Sequence, residues 1–145
     1  MSNRINIGKT EPAAYKAMMA LENNLETTDI SPLHQEMIRI RASQINGCAY
    51  CIDTHTSDAR KAGETERRIY ALNAWRETPF FTEKEKAILA LTEAVTLITK
   101  GVPDDVYEQS VKVLGEKIAA QVIMAAITIN AWNRIGITTR MQPAT

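Results

Sequence analysis

Apolar residues recur along this chain at intervals of three and four, the period of helices that rest one face on a core. Tyr15, Met18, Leu21 and Leu25 mark such a face from about Pro12 to Leu25. After a polar stretch, Ser31-Pro32 supplies an N-cap and a first-turn proline. The helix they open carries Leu33, Met37, Ile40 and Ile45 and ends at Asn46-Gly47. The next runs from about Cys48 to Ala62, with Gly63 as its stop. Thr65 begins a shorter one through Ile69, Leu72 and Trp75, which Thr78-Pro79 closes. Thr82-Glu83-Lys84-Glu85 fits a capping box for a helix with Ile88, Leu91, Val95 and Ile98 on one stripe, ended by Lys100-Gly101. Pro103 starts another through Val106, Tyr107, Val111 and Leu114, and Gly115 ends it. The last, from about Glu116 to Arg134, carries Ile118, Val122, Ala125, Ile129 and Trp132 and is apolar nearly all round.

No alternating strand pattern interrupts this series, and no Asn-Gly or Asp-Gly sits between two alternating runs. The pattern predicts an all-α fold of about six to seven helices in a single domain over residues 1–145. Trp75, Trp132 and the methionines at helical spacing read as core.

Composition narrows the function classes. Lys+Arg and Asp+Glu both number 17, so no basic excess points to nucleic acid. The first residues lack the apolar segment of a secretory signal, and no run approaches the 18 or so apolar residues of a membrane span. A cytoplasmic location is the expectation. In that reducing setting a close cysteine pair is catalytic, redox-active or metal-binding before it is a structural staple.

The chain has 2 cysteines and 2 histidines, and three of these four side chains fall within Cys48-Ala-Tyr-Cys51-Ile-Asp-Thr-His55. On a helix the offsets of three, four and seven bring Cys48, Cys51 and His55 to one face. A thiol beside an imidazole is a nucleophile beside its base. The break at Asn46-Gly47 puts the thiols in a first turn, where unpaired N–H groups and the helix dipole favour a thiolate. On these grounds both cysteines are candidates for the reactive sulfur: Cys51 stands one turn from His55, and Cys48 stands nearest the helix start. A c-type haem site requires histidine directly after the second cysteine, where this chain has Ile52. A single tetrahedral zinc on all three side chains is disfavoured, because Cys48 and His55 are about 10 Å apart along a helix axis. Helices on both sides of the pair also argue against a thioredoxin fold.

The remaining residues read plainly. His34, at a polar helix start, is expected to be exposed and without function. Arg39, Arg41, Arg60, Lys61, Arg67 and Arg68 flank the motif helix and are expected to be mostly solvated, with one or two placed to favour a thiolate. Glu36, one turn into its helix, would by itself be read as a solvated charge.

Glu36, eleven intervening residues and then Cys48-x-x-Cys51-x-x-x-His55 resembles the Glu…CxxCxxxH signature of alkylhydroperoxidase D-like (AhpD-like) proteins, within the carboxymuconolactone decarboxylase family. Gln44-Ile-Asn-Gly-Cys-Ala-Tyr-Cys and Trp75-Arg-Glu-Thr-Pro are similar to its small single-domain branch. The resemblance implies a helical fold with the CxxC at the N-terminus of a central helix, assembly as a homo-oligomer (dimer, trimer or hexamer), and peroxidase chemistry without metal or haem. It implies Cys51 as the sulfur that attacks a hydroperoxide, Cys48 as the resolving thiol, and His55 with Glu36 as the proton relay. It further implies an external dithiol donor, lipoyl-bearing or thioredoxin-like, as the partner. In some relatives a histidine precedes the second cysteine; here Tyr50 does, and its phenol is also a donor. The alternatives are a carboxymuconolactone decarboxylase-type acid/base enzyme, which does not need the cysteine pair, and a non-enzymatic redox sensor.

Overall fold

Ser31 caps its helix as expected, its hydroxyl accepting the His34 N–H, and Pro32 occupies the first turn. Thr82 and Glu85 form the expected capping box. Local signals of this kind set most element boundaries in the computed structural model, which describes residues 4–145. The first three residues of the expected 1–145 unit lie outside the described residues. Among the described residues there are eight α-helices: α1 (Ile7–Thr10), α2 (Pro12–Asn24), α3 (Pro32–Asn46), α4 (Ala49–Lys61), α5 (Glu66–Tyr70), α6 (Glu83–Thr96), α7 (Asp104–Leu114) and α8 (Glu116–Thr139). Short 3-10 turns follow α2, α5 and α6. Among the described residues there is no strand, and no helix is long and apolar enough to cross a membrane.

The core is built around α3, which packs against α4, α6 and α8. Ile38, Ile40, Ile88, Leu89, Val122 and Ile129 are almost wholly buried there. A polar seam ties α3 to α8. Asn46 donates to the side-chain oxygens of Asn130 and Asn133 at 2.8 and 2.9 Å, and Asn133 donates to the Ser43 hydroxyl at 2.9 Å. Asn133 is fully buried, so these partners offset a desolvation cost that would otherwise fall on the core.

Several expectations change at the level of tertiary packing. α1 was not anticipated. α2 buries none of its own residues: Tyr15 and Met19 stay exposed, and only Leu25 beyond its end enters the core. Tyr107 is exposed, and of the methionines Met37 is buried while Met124 and Met141 are exposed. Trp75 is buried, whereas Trp132 packs only partly against the core. The segment after Thr65 divides into α5 and a 3-10 turn. α8 runs past Arg134 to Thr139, carrying Gly136 in its interior.

Gly136 has a specific reason to be there. A Cβ at this position would stand 3.2 Å from Cys48 Sγ and 3.7 Å from Cys51 Sγ, so the bare backbone of α8 lies directly on the two sulfurs.

His34 and the flanking arginines are corrected as well. The His34 side chain is only 17% exposed, with Nε2 3.3 Å from Glu85 Oε1. Arg68, 21% exposed, bonds Glu64 and Glu85 at 2.8 Å each and lies over the Phe81 ring. Burial alone would raise the Glu85 carboxyl, but hydrogen bonds from Arg68 and the Thr82 backbone outweigh it and hold the group below its ordinary 4.5. Glu93 is held low in the same way: the burial penalty is overcome by Arg41, Arg76 and the Trp75 indole.

A carboxyl held low in the folded protein contributes stability that is complete above its unfolded value and lost as pH falls through the folded one. Thermal midpoints should therefore drop as pH falls below about 4.5. Glu85→Gln should lower the midpoint near neutrality and flatten that acid drop; an unaltered acid slope would contradict this origin. Gly136→Ala tests the α8 contact by its sign. In an open helix the change stabilises by about 0.5–1 kcal/mol, whereas overpacking costs about 1–3 kcal/mol. The oxidised variant should melt several degrees lower, and a higher midpoint would show that the sulfurs move aside freely.

Candidate functional site

The chain reverses between α3 and α4 through Gly47, whose φ of 73° and ψ of 35° are left-handed. Its N–H and that of Cys48 both return to the Ser43 carbonyl. A side chain would strain this turn, and the turn sets α4 against α3 so that Glu36 faces His55. Cys48 is the N-cap of α4, and its sulfur accepts the Cys51 N–H at 3.4 Å. Cys51 lies in the first helical turn, and the two are joined as a disulfide. Both are nearly inaccessible, 1% exposed for Cys48 and 4% for Cys51.

His55 lies one turn beyond Cys51 on α4. Its Nδ1 is 2.9 Å from Glu36 Oε2, across the α3–α4 contact. Glu36 is only 8% exposed, so the reading of a solvated charge does not hold. Its other oxygen accepts from Arg39, three residues on along α3. A carboxylate that takes a guanidinium hydrogen bond is ionised and can only accept. His55 therefore donates through Nδ1–H, which leaves Nε2 as the nitrogen able to exchange a proton.

Arg39 does not end this chain of bonds. Its second nitrogen donates to Glu22 Oε1 on α2 at 2.6 Å, and Glu22 Oε2 accepts the Trp132 indole N–H from α8 at 3.0 Å. The run Trp132–Glu22–Arg39–Glu36–His55 thus joins four helices. Glu22 and Gly136 were missed in the sequence, and Arg39 was assigned to the solvated group. Arg39 had one legible signal, its i,i+3 spacing from Glu36. For Gly136 the signal was an isolated glycine in a helical run. Glu22 had none, since its contacts are set only by tertiary register.

A pocket of about 550 Å3 opens beside this run, with His55, Tyr50 and Thr54 on the α4 side and Trp132 and Ile135 on the α8 side. Glu36, His55 and Asp58 also each offer a ligand atom, all within 4.8 Å of one another. Glu36 is already committed to Arg39 and His55, and Asp58 pairs with Lys61 at 3.2 Å. A cation bound there would stand beside the Arg39 guanidinium and would displace Lys61 from Asp58.

Residues 12–94 match the carboxymuconolactone decarboxylase family. The uncharacterised protein YdfG of Bacillus subtilis (strain 168) is 46% identical over 138 residues, 94% of each chain. ATU0492, a protein of unknown function from Agrobacterium tumefaciens whose suggested role is AhpD-type antioxidant defence, has the same fold with a TM-score of 0.95. It is 38% identical, over 100% of this chain and 99% of its own. A peroxidase-related protein of Ralstonia eutropha JMP134 with an alkylhydroperoxidase AhpD core shares the fold at 19% identity. The TM-score is 0.81, and 92% of this chain and 72% of that one are covered. The family match takes in the CxxC, its histidine and the glutamate that faces it, and the chain belongs to the carboxymuconolactone decarboxylase family as an AhpD-like member.

Proposed function

We propose that this protein is a thiol peroxidase that reduces hydrogen peroxide or organic hydroperoxides through a Cys48/Cys51 dithiol–disulfide cycle. The observation that carries this reading is the 2.9 Å bond between Glu36 and His55 Nδ1, one helical turn from Cys51. It leaves a histidine with its tautomer set and its second nitrogen available beside a redox-active pair. The resemblance in motif spacing and the AhpD-like fold support it.

In the reduced protein His55 takes the Cys51 proton, and the thiolate attacks the distal oxygen of ROOH. The O–O bond breaks, the alkoxide takes the proton back from His55 and leaves as ROH, and Cys51 becomes a sulfenic acid. Cys48 sulfur then attacks Cys51 sulfur. An S–S bond forms, the S–O bond breaks, and the hydroxide leaves as water with the Cys48 proton. An external dithiol restores the pair by exchange and is itself oxidised to a disulfide. The sum is ROOH plus dithiol giving ROH, water and disulfide. Cys51 is assigned the attack because His55 is its neighbour one turn on. Cys48, whose sulfur accepts a backbone N–H at the N-cap, is suited to resolve and then to leave as a stabilised thiolate. A lipoyl-bearing or thioredoxin-like protein is the proposed donor.

Purified protein supplied with dihydrolipoamide should consume hydroperoxide over many turnovers, which a sensor that forms its disulfide once would not do. Cys51→Ser should abolish consumption, and unchanged turnover in that variant would sink the assignment. Glu36→Gln keeps the side chain's shape but removes the carboxylate. It should lower turnover by about 100-fold while the Cys48–Cys51 disulfide still forms under a slow chemical oxidant.

A further inference from the structure

The pocket beside His55 is far larger than the smallest substrate of the proposed reaction requires. Hydrogen peroxide needs little more than the roughly 30 Å3 share of a water molecule, against about 550 Å3 here. Much of its wall is apolar, with Ile5 and Ile7 from the N-terminal segment, Tyr15 from α2, Trp132 and Ile135 from α8, and Met141 beyond it, while Arg4, Asn6, Glu22 and Thr139 add polar groups. Tyr15 and Trp132 meet edge to face at 5.5 Å, leaving ring surface to stack against. Ile5 is 60% exposed and Met141 40% exposed, so both present apolar surface to solvent.

The origin of these walls matters. The family match covers residues 12–94, so Ile5, Ile7, Trp132, Ile135 and Met141 all come from outside it. The N-terminal segment is fastened where it must be to form a wall, because Arg4 Nη1 donates to the Thr138 carbonyl at 2.7 Å. Trp132 also donates to Glu22, so the pocket wall is joined to the hydrogen-bond run that ends at His55.

We propose that the two ends of the chain form a specificity wall that receives the apolar, ring-sized body of an organic hydroperoxide and presents its O–O group at the His55 end. Ile5, Ile7 and Met141 are the specificity-determining residues, with Trp132 as the stacking surface. The nature of the reacting group rests on the peroxidase reading; the apolar, ring-sized character of the ligand does not. Selectivity follows from size and desolvation: a small peroxide gains nothing from these walls, whereas an apolar body loses its contact with water against them.

The test uses the full chain and two probes. The first is 2-phenyl-2-propanol, the inert alcohol left when cumene hydroperoxide is reduced, followed through the Trp132 indole N–H in nitrogen-15 NMR spectra. The second is the ratio of kcat/KM for cumene hydroperoxide to that for hydrogen peroxide. Wild-type protein should show a saturable Trp132 shift with the alcohol and prefer the aromatic peroxide. Ile5→Ser/Met141→Ser changes exposed side chains and should fold normally. It should weaken the alcohol's binding and lower the ratio of kcat/KM for cumene hydroperoxide to that for hydrogen peroxide by about tenfold. Ile135→Trp, which fills the pocket, should do the same by another route. A Trp132 shift in a protein that consumes no hydroperoxide would sustain the apolar pocket and remove the peroxidase reading. Consumption of both peroxides without any Trp132 shift would overturn the pocket and leave that reading intact. Equal losses for both peroxides in the serine variant would overturn it too. So would a change in oligomeric mass with alcohol binding unaltered, which would identify the wall as a contact between copies of the chain.

Discussion

A buried carboxylate at the α3–α4 contact governs the site. Leaving such a charge without partners costs several kcal/mol, so Glu36 can be only 8% exposed because Arg39 and His55 both donate to it. The requirement works in both directions. Glu36 orders His55 by accepting its Nδ1–H, and the need to satisfy Glu36 holds α4 at a fixed height along α3. A one-residue slip of either helix would turn one partner about 100° away around its axis. The left-handed Gly47 and the N-cap at Cys48 set that height locally, and the Asn46–Asn130–Asn133 seam sets it against α8.

The same geometry places the Cys48–Cys51 pair. With α4 so placed, its first turn meets the backbone of α8 at Gly136, and the sulfurs of Cys48 and Cys51 fill the space a side chain would take. Glycine inside a 24-residue helix sacrifices helix propensity. Here the loss is offset by close packing on the bonded sulfurs of Cys48 and Cys51. A larger residue at position 136 would act on the pair without touching substrate.

What could be read from the sequence divides along physical lines. Ser31-Pro32, Thr82 with Glu85, and Gly47 announce themselves because caps and left-handed turns are decided within four or five residues. The CxxC and His55 were legible for the same reason, since one helix places all three. Glu36 was legible only through its motif spacing, because its burial depends on a neighbouring helix. Arg39, Glu22 and Gly136 depend on register between elements far apart in sequence, which periodicity does not encode. The misreading of α2 is instructive: Tyr15 follows a helical period, yet it lines the pocket beside His55 instead of a core. Periodicity reports that a face is apolar, not what it faces. α8 runs to Thr139, beyond the Arg134 end expected from its apolar stripe, and its bare backbone at Gly136 lies on the sulfurs.

On the proposed reading, chemistry and selection are carried by different parts of the chain. Glu36, Cys48, Cys51 and His55 lie within the segment that matches the family and are held by local turns and by each other. The pocket walls come largely from residues 4–8 and from α8 and its end, joined by the bond between Arg4 and Thr138. Changes in those walls can alter which molecule reaches His55 without disturbing the turn at Gly47 or the partners of Glu36. A family sharing one relay can in this way act on substrates of different size and shape. The price of that freedom is the run from Trp132 through Glu22 and Arg39, which couples the wall to the relay. A substitution at Trp132 changes both the pocket's ring surface and the carboxylate that steadies Arg39, so on the proposed reading selectivity and catalysis cannot be changed separately there.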